Sequence, residues 1–267
     1  VDNSLASTLS DIQSHFKTMT RLAAMKNSLS RVGKKSNRPS NPTAAELALD
    51  RFDQLVTDFY DKYRKSPPAG ETKEQKTKRF FHEQRDYDFL KLKRRELIAH
   101  AQVRDLEEKL KSYTDKNLNK KPSELLSEKH HPTKKLANNL TAAGEPQPTL
   151  SHEAHHIIPG KGRHRQADIE TARINMHMHR IGINAPQNGV WLMNYAKNVD
   201  LNWESPDSPA HRSIHTYNYE SWIASKFSLT PLNKQLFEAS LLQVKNHLKK
   251  GTYPKTILES KNEDWRG

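Results

Sequence analysis

Apolar side chains recur every three or four positions through the first part of the chain, which is the spacing that lines one face of an α-helix. The pattern predicts a helix over residues 3–31 and a second helix from Thr43, where Glu46 follows three positions later as in a capping box. A long, highly charged helix is predicted over about residues 72–116. We therefore predict a helical region over residues 1–116.

The helical periodicity stops after residue 116. Residues 117–148 are rich in Lys, Asn, Pro and Ser, a composition typical of a linker with at most one short helix. The pair His130-His131 in this segment is followed by Pro132 and has no apolar flanks. Both histidine side chains are therefore expected in solvent.

Short apolar runs typical of β-strands follow at His155–Ile158 and Gly189–Met193. A helix is predicted between them over Ala167–Ile181, and Gly182 is its expected C-terminal glycine. The order of these elements indicates a small unit of two strands and helices.

Two later helices are predicted from the residues that open them. Ser208-Pro209 begins one that runs to about Phe227, and Thr230-Pro231 begins the last. Ser and Thr suit the N-cap, and Pro suits the first helical position.

The predicted fold class is mainly α with a small ββα motif. A helical N-terminal region precedes an α+β domain over residues 149–255, and residues 256–267 form a tail.

Composition narrows the functional classes. The net charge of +13 favours polyanionic partners such as nucleic acid. The chain has no cysteine, which excludes thiolate metal sites. Any metal ligand must therefore be His, Asp or Glu, and the chain has 14 histidines. No apolar stretch approaches about 18 residues, so no membrane span is expected. The first residues show no secretory signal pattern.

Histidines carry the candidate chemistry. His211 and His215 are four positions apart, so on a helix they share one face and can bind one metal ion. His155 and His156 are neighbours on a predicted strand and point to opposite faces. One of this pair can bind the metal while the other activates water, an arrangement that suits phosphodiester hydrolysis. Glu153 is a candidate partner for a ligand histidine.

Three sequence elements together resemble a known family. The run Ala154-His155-His156, the later Asn188-Gly-Val and the final His-x3-His are similar to the AHH group of the HNH/endonuclease VII superfamily, the ββα-metal or His-Me finger nucleases. The resemblance covers about residues 150–227. It implies that the small motif is a ββα-metal (HNH) motif and that the C-terminal domain is a nuclease.

The resemblance also implies roles for single residues. His155, His211 and His215 would be the metal ligands, and His156 would be the general base. Asn188 would belong to the catalytic set and would tie the loop between the strands. The cofactor would be one divalent metal ion (Mg, Mn, Ni or Zn), and the substrate would be DNA, with RNA as the alternative.

Four basic residues are candidates for substrate binding. Lys161, Arg163 and Arg165 follow the histidine strand directly, and Arg212 lies between the two later histidines. Each is expected either to contact a substrate phosphate or to face solvent.

Domains of this family are found at the C-termini of bacterial polymorphic toxins. The resemblance therefore suggests an antibacterial effector, neutralised by an acidic immunity protein. Such a protein would be secreted or delivered without a cleavable signal peptide and would act in the cytoplasm of the target cell. The N-terminal helices would then bind a secretion-system or adaptor partner, or extend the grip on DNA.

Three other hypotheses remain open. The chain is a housekeeping or mobile-element HNH nuclease, a noncatalytic nucleic-acid-binding module in which the metal only staples the fold, or a helical scaffold. The alternative to a metal site is that these histidines are surface residues without a binding role in a histidine-rich chain.

Overall fold

The computed structural model describes residues 44–64, 69–228 and 233–267. The chain divides into two compact units, residues 1–102 and residues 103–267. The helix predicted over residues 3–31 and the residues predicted to open the second and last helices lie outside the described residues.

Two helices account for most of the described residues before residue 119, α1 (Ala44–Arg64) and α2 (Lys73–Leu118). The start of α2 is fixed by a reciprocal cap, in which Gln75 N donates to Thr72 Oγ1 at 3.2 Å and Thr72 N donates to Gln75 Oε1 at 2.8 Å. Within the N-terminal unit, Phe52, Phe59 and Leu90 form a buried apolar cluster. Among the described residues, no helix is both long enough and apolar enough to cross a bilayer.

Among the described residues of the C-terminal unit, five helices and two strands follow the end of α2. In chain order they are α3 (Pro122–Leu126), α4 (Lys134–Ala142), β1 (His152–His156), α5 (Gln166–Met178), β2 (Gly189–Met193), α6 (Tyr217–Phe227) and α7 (Lys234–Lys250). The strands form a two-stranded antiparallel sheet. The predicted fold class, mainly α with a small β component, is confirmed.

The sheet has two buried faces because helices cover both sides. Ala154 pairs with Trp191 and packs against Leu136 and Leu140 of α4. Val190 and Leu192 alternate with Trp191 along β2 and belong to the main core, which α5, α6 and α7 complete. This alternation sends His155 and His156 of β1 to opposite faces.

The structure differs from the prediction of a linker over residues 117–148. This segment holds α3 and α4, and its Leu125, Leu136 and Leu140 are fully buried. The two helices are only 5 and 9 residues long, so each is too short for helical periodicity to stand out from a polar composition.

The predicted tail over residues 256–267 is also packed against the unit. Ile257 is fully buried. The side-chain amide of Asn218 donates to the carbonyl oxygens of Thr256 and Ser260, and its oxygen accepts from Asn262 N. One buried asparagine thus pins the last residues of the chain.

Two predicted helix boundaries are wrong. Ser208-Pro209 does not open a helix: a 3-10 turn spans His211–Ile214, and α6 starts at Tyr217, where Thr216 Oγ1 accepts from Tyr219 N at 3.0 Å. The helix α5 ends at Met178, before Gly182. Gly182 instead allows a close approach, since a Cβ there would lie 2.1 Å from Tyr113 Oη.

The last helix starts later than predicted. It begins at Lys234, with Asn233 Oδ1 accepting from Leu236 N at 2.9 Å. Its predicted end at Gly251 is confirmed, and this glycine adopts a left-handed φ of 68°.

Candidate active site

Three histidines from separate elements converge in the C-terminal unit. His155 comes from β1, His211 opens the 3-10 turn and His215 follows it. The ring centroids lie 4.9 Å apart for His155–His211, 5.5 Å for His155–His215 and 4.9 Å for His211–His215. One nitrogen from each ring lies within 4.8 Å of the others. The predicted convergence of these residues is therefore present, although a 3-10 turn rather than an α-helix provides it.

The pKa of each of these three histidines is lowered, which favours the neutral rings. Burial holds the pKa of His155 well below its usual value, and the neighbouring His211 and His215 add to the effect. Burial also lowers the pKa of His211 to about 4, with His215 as the next cause. The pKa of His215 is lowered by burial and then by Arg163 and Arg212. Neutral imidazoles keep the lone pairs that metal ligation requires.

The surroundings of two rings fit a metal site. Tyr219 Oη lies 3.0 Å from Nε2 of His155 and donates to the carbonyl oxygen of Ile157 at 2.8 Å. Glu153 Oε2 lies 3.0 Å from Nδ1 of His211, but the approach is not that of a hydrogen bond and this buried nitrogen has no such partner in the described chain. Three neutral imidazoles, each with one nitrogen within 4.8 Å of the others, match the preference of borderline divalent cations.

His156 lies on the opposite face of β1 and is buried. Its Nε2 lies 3.1 Å from Oδ1 of Asn184. Burial lowers the pKa of His156 to about 4 against the opposing effect of this hydrogen bond, and His130 and His131 lower it further. The ring is therefore neutral near pH 7, and one of its two nitrogens carries a lone pair.

Asn188 is fully buried beneath the histidine strand. Its Oδ1 accepts from Ile158 N at 2.8 Å, and its Nδ2 donates to the carbonyl oxygens of Ile158 and Ile183 at 3.1 and 3.0 Å. These contacts link Ile158, just after β1, to Ile183 in the segment before β2. The geometry is that of a loop anchor, as the resemblance implies, and a catalytic role stays a prediction.

The basic loop after β1 is held by one buried carboxylate. Glu220 of α6 accepts hydrogen bonds from the backbone N–H groups of Arg163, His164 and Arg165 at 2.6, 2.8 and 2.5 Å. Lys161 and Arg163 are exposed and line the same cleft as the histidines.

Two predicted substrate-binding arginines have other contacts. Arg165 points inward, where its guanidinium donates to Asp168 at 2.8 Å and to Ser221 at 3.0 Å, and it does not line the cleft. Arg212 lines the cleft and remains exposed, with its guanidinium 4.7 Å from the ring of Tyr195 and 3.6 Å from Glu153.

The cleft has a volume of about 490 Å³ and is lined by the three clustered histidines and by His156. It also includes His130 and His131, which were expected in solvent. The ring of His130 packs on Gly160, where an added Cβ would lie 2.0 Å from Cγ of His130, and its centroid is 6.3 Å from that of His156. The two residues reach the site because α3 and α4 fold the surrounding segment against the sheet, which the composition did not indicate.

Two antiparallel strands, a histidine-bearing turn and the following helix together form the ββα arrangement of HNH-type sites. Residues 136–251 match the model of AHH, described as a nuclease family of the HNH/ENDO VII superfamily with conserved AHH. The resemblance stated from the sequence is confirmed over this segment, which indicates a nuclease. No curated protein and no solved structure matches the chain.

Proposed function

We propose that the chain is a metal-dependent endonuclease that hydrolyses phosphodiester bonds of DNA. One observation carries the proposal: three neutral histidines offer nitrogens within 4.8 Å of one another, and a fourth neutral histidine lines the same cleft. A metal that only stapled the fold would need a closed set of ligands, and a neutral histidine beside the ligands would serve no purpose. A hydrolytic site uses both the metal, which stabilises negative charge, and the neutral histidine, which accepts a proton from water.

His155, His211 and His215 would hold one divalent ion, with Zn and Ni favoured by imidazole ligands and Mn and Mg as the further candidates. When bound, the ion would supply Lewis-acid stabilisation of the negative charge that develops on the phosphate and the leaving oxygen. Glu153 would orient His211 from outside the ligand set.

The remaining steps belong to the side chains. His156 would take the proton from the attacking water, because its lowered pKa keeps the imidazole neutral. Lys161, Arg163 and Arg212, all exposed at the cleft, would neutralise substrate phosphates. Asn188 would hold the strand end in place through its three hydrogen bonds.

Metal content and cleavage measured together test the proposal. Purified protein should bind one equivalent of divalent metal, and EDTA should abolish cleavage of plasmid DNA. His211→Ala and His215→Ala should each lower both metal content and cleavage, while the exposed His100→Ala should lower neither. Unchanged metal content in either site variant would remove that residue from the ligand set. Cleavage of RNA but not DNA would change the substrate assignment.

We further propose that this nuclease is an antibacterial effector delivered into the cytoplasm of a target cell. The resemblance to toxin domains supports this, and the basic residues at the cleft suit an acidic immunity protein. The residues that come before the C-terminal unit would bind a secretion-system or adaptor partner. Production in a bacterial cytoplasm should arrest growth for the native chain and not for His156→Ala. A small acidic protein encoded beside the gene should relieve the arrest; equal growth with both chains would favour a housekeeping or mobile-element nuclease.

A further inference from the structure

Asn184 is a buried residue beside the candidate base that the sequence did not single out. It lies between α5 and β2 and is 1% exposed. Its backbone is fixed from two sides, since its N–H donates to Tyr113 Oη at 3.2 Å and its carbonyl accepts from Asn139 Nδ2 at 2.8 Å. The position of the residue is therefore set independently of its side chain.

The side-chain amide of Asn184 has a single consistent orientation. Its Nδ2 lies 2.9 Å from Glu128 Oε1 and 3.0 Å from the carbonyl oxygen of Lys129. Both are acceptors, so the nitrogen must face them and the oxygen must face His156.

The carboxylate of Glu128 is kept in its charged form. Burial alone would raise its pKa, but hydrogen bonds from Lys135, Asn184 and Tyr113 outweigh burial and lower the pKa below its usual value. Lys135 Nζ lies 2.6 Å from Oε1, and Tyr113 Oη lies 2.9 Å from Oε2. A charged carboxylate can only accept, so it holds the amide of Asn184 in one orientation.

The protonation of the His156 ring follows from that orientation. An amide oxygen only accepts, so Nε2 of His156 must carry the proton that bridges the 3.1 Å to Oδ1. The other ring nitrogen, Nδ1, then holds the lone pair. It makes no hydrogen bond to any part of the chain that the structure describes.

We propose that Asn184 is a positioning residue that selects the tautomer of His156, and that Glu128 acts through Asn184 to fix this choice. The selection makes Nδ1 the atom that accepts the proton from water. This inference rests on the proposed function for the role of the base, but the tautomer itself does not depend on cleavage.

The proposal extends the functional site beyond the family match. Glu128 and Tyr113 precede residues 136–251 in the chain, yet both contact the residue that holds the base. Gly182 contributes by leaving room for Tyr113, since any side chain there would meet its hydroxyl. The segment from the end of α2 to α4 thus serves as the support for His156.

Nitrogen NMR of the full chain, labelled at histidine imidazoles and kept free of metal near pH 7.5, tests the proposal directly. The resonances of His156 are assigned by their absence from His156→Ala. The native chain should show His156 protonated at Nε2 alone. Asn184→Ala should give a mixture of tautomers and lower kcat by about 10–100-fold with little change in KM.

A second variant and a control keep the test decisive. Glu128→Gln replaces the charged acceptor with an amide that can also donate, so only the Lys129 carbonyl still requires Nδ2 of Asn184 to face it. The orientation of Asn184 should loosen, and part of the His156 population should become protonated at Nδ1. Asn175→Ala removes a part-buried side-chain hydrogen bond to the Phe227 carbonyl and should leave the tautomer unchanged.

The outcomes separate this proposal from the proposed function. Nδ1 protonation of His156 in the native chain, or the same pure tautomer in both Asn184→Ala and Glu128→Gln, would overturn it. The predicted tautomers in a protein that cuts no nucleic acid would retain the positioning and reject the nuclease.

Discussion

The hydroxyl oxygen of Tyr219 lies 3.0 Å from Nε2 of His155 and donates its single proton to the carbonyl oxygen of Ile157 at 2.8 Å. A hydroxyl has one proton, so the bond to His155 must use the proton on Nε2. Nδ1 of His155 then carries the lone pair, and it is the atom available to a metal. A buried tyrosine thereby fixes both the orientation and the tautomer of a ligand.

Tyr219→Phe should weaken metal binding by about 10–100-fold, as expected when the partner that orients a ligand histidine is lost. The ring volume is kept, so the fully buried core around α6 should remain packed. Calorimetric titration of the apoprotein with Zn²⁺ measures the effect. The matched control is Tyr195→Phe at an exposed position. Equal affinities for the native chain and Tyr219→Phe would reduce Tyr219 to a packing residue.

Neutralising Lys161 and Arg163 together should weaken DNA binding and make it less sensitive to salt. Each lost phosphate contact changes the slope of log affinity against log salt by about 0.9 on double-stranded DNA, and both side chains line the cleft. Fluorescence anisotropy over a range of salt concentrations measures the slope. The use of a catalytically inactive chain prevents cleavage during the titration.

Arg165 supplies the contrast within the same loop. Its guanidinium is bonded to Asp168 and Ser221, so Arg165→Gln should leave the salt slope unchanged and lower the stability instead. A slope lowered as much by Arg165→Gln as by the pair would show that Arg165 turns outward to the nucleic acid.

The metal-free protein should lose stability as the pH falls from about 6.5 towards 4. The pKa of His156 and of His211 is lowered by burial to about 4, whereas unfolded histidine titrates near 6.5. Between these values the unfolded chain binds more protons than the folded chain, so the free energy of unfolding decreases with falling pH. Each residue contributes at most about 3.5 kcal/mol, at about 1.4 kcal/mol for each unit of pKa.

Urea unfolding of the EDTA-treated protein at several pH values measures this dependence. His156→Ala should show a shallower loss over the same range, because one buried histidine no longer titrates on unfolding. A free energy of unfolding that stayed constant between pH 6.5 and 4.5 would contradict the burial of these two rings.

The parts of the site that the sequence predicted are those encoded by local spacing. Alternation along β1 places His155 and His156 on opposite faces of the strand. His211 and His215 are four positions apart, and their rings lie on the same side of the chain. The second prediction succeeded for a reason other than the expected one, since a 3-10 turn rather than a helix carries the pair. Asn188 was identified through the family resemblance, from the Asn-Gly-Val run that leads into β2, and not from spacing.

The missed residues depend on contacts between distant parts of the chain. Glu128 and Asn184 are 56 positions apart, and Tyr219 is 64 positions from His155. His130 and His131 reach the cleft only because α3 and α4 bury Leu125, Leu136 and Leu140 in a segment whose composition is typical of a linker. A polar composition with a few well-spaced leucines does not reveal such packing before the partner surfaces are known.

Cleavage of supercoiled plasmid by the native chain and by His156→Ala, with Mg²⁺, Mn²⁺, Ni²⁺, Zn²⁺ or EDTA, tests the central claim most directly. The account predicts metal-dependent cutting by the native chain and its loss in His156→Ala, with the metal content of the variant unchanged. Cutting retained by His156→Ala would contradict the assignment of the base. No cutting by the folded native chain with any of these metals would contradict the assignment as a DNA nuclease.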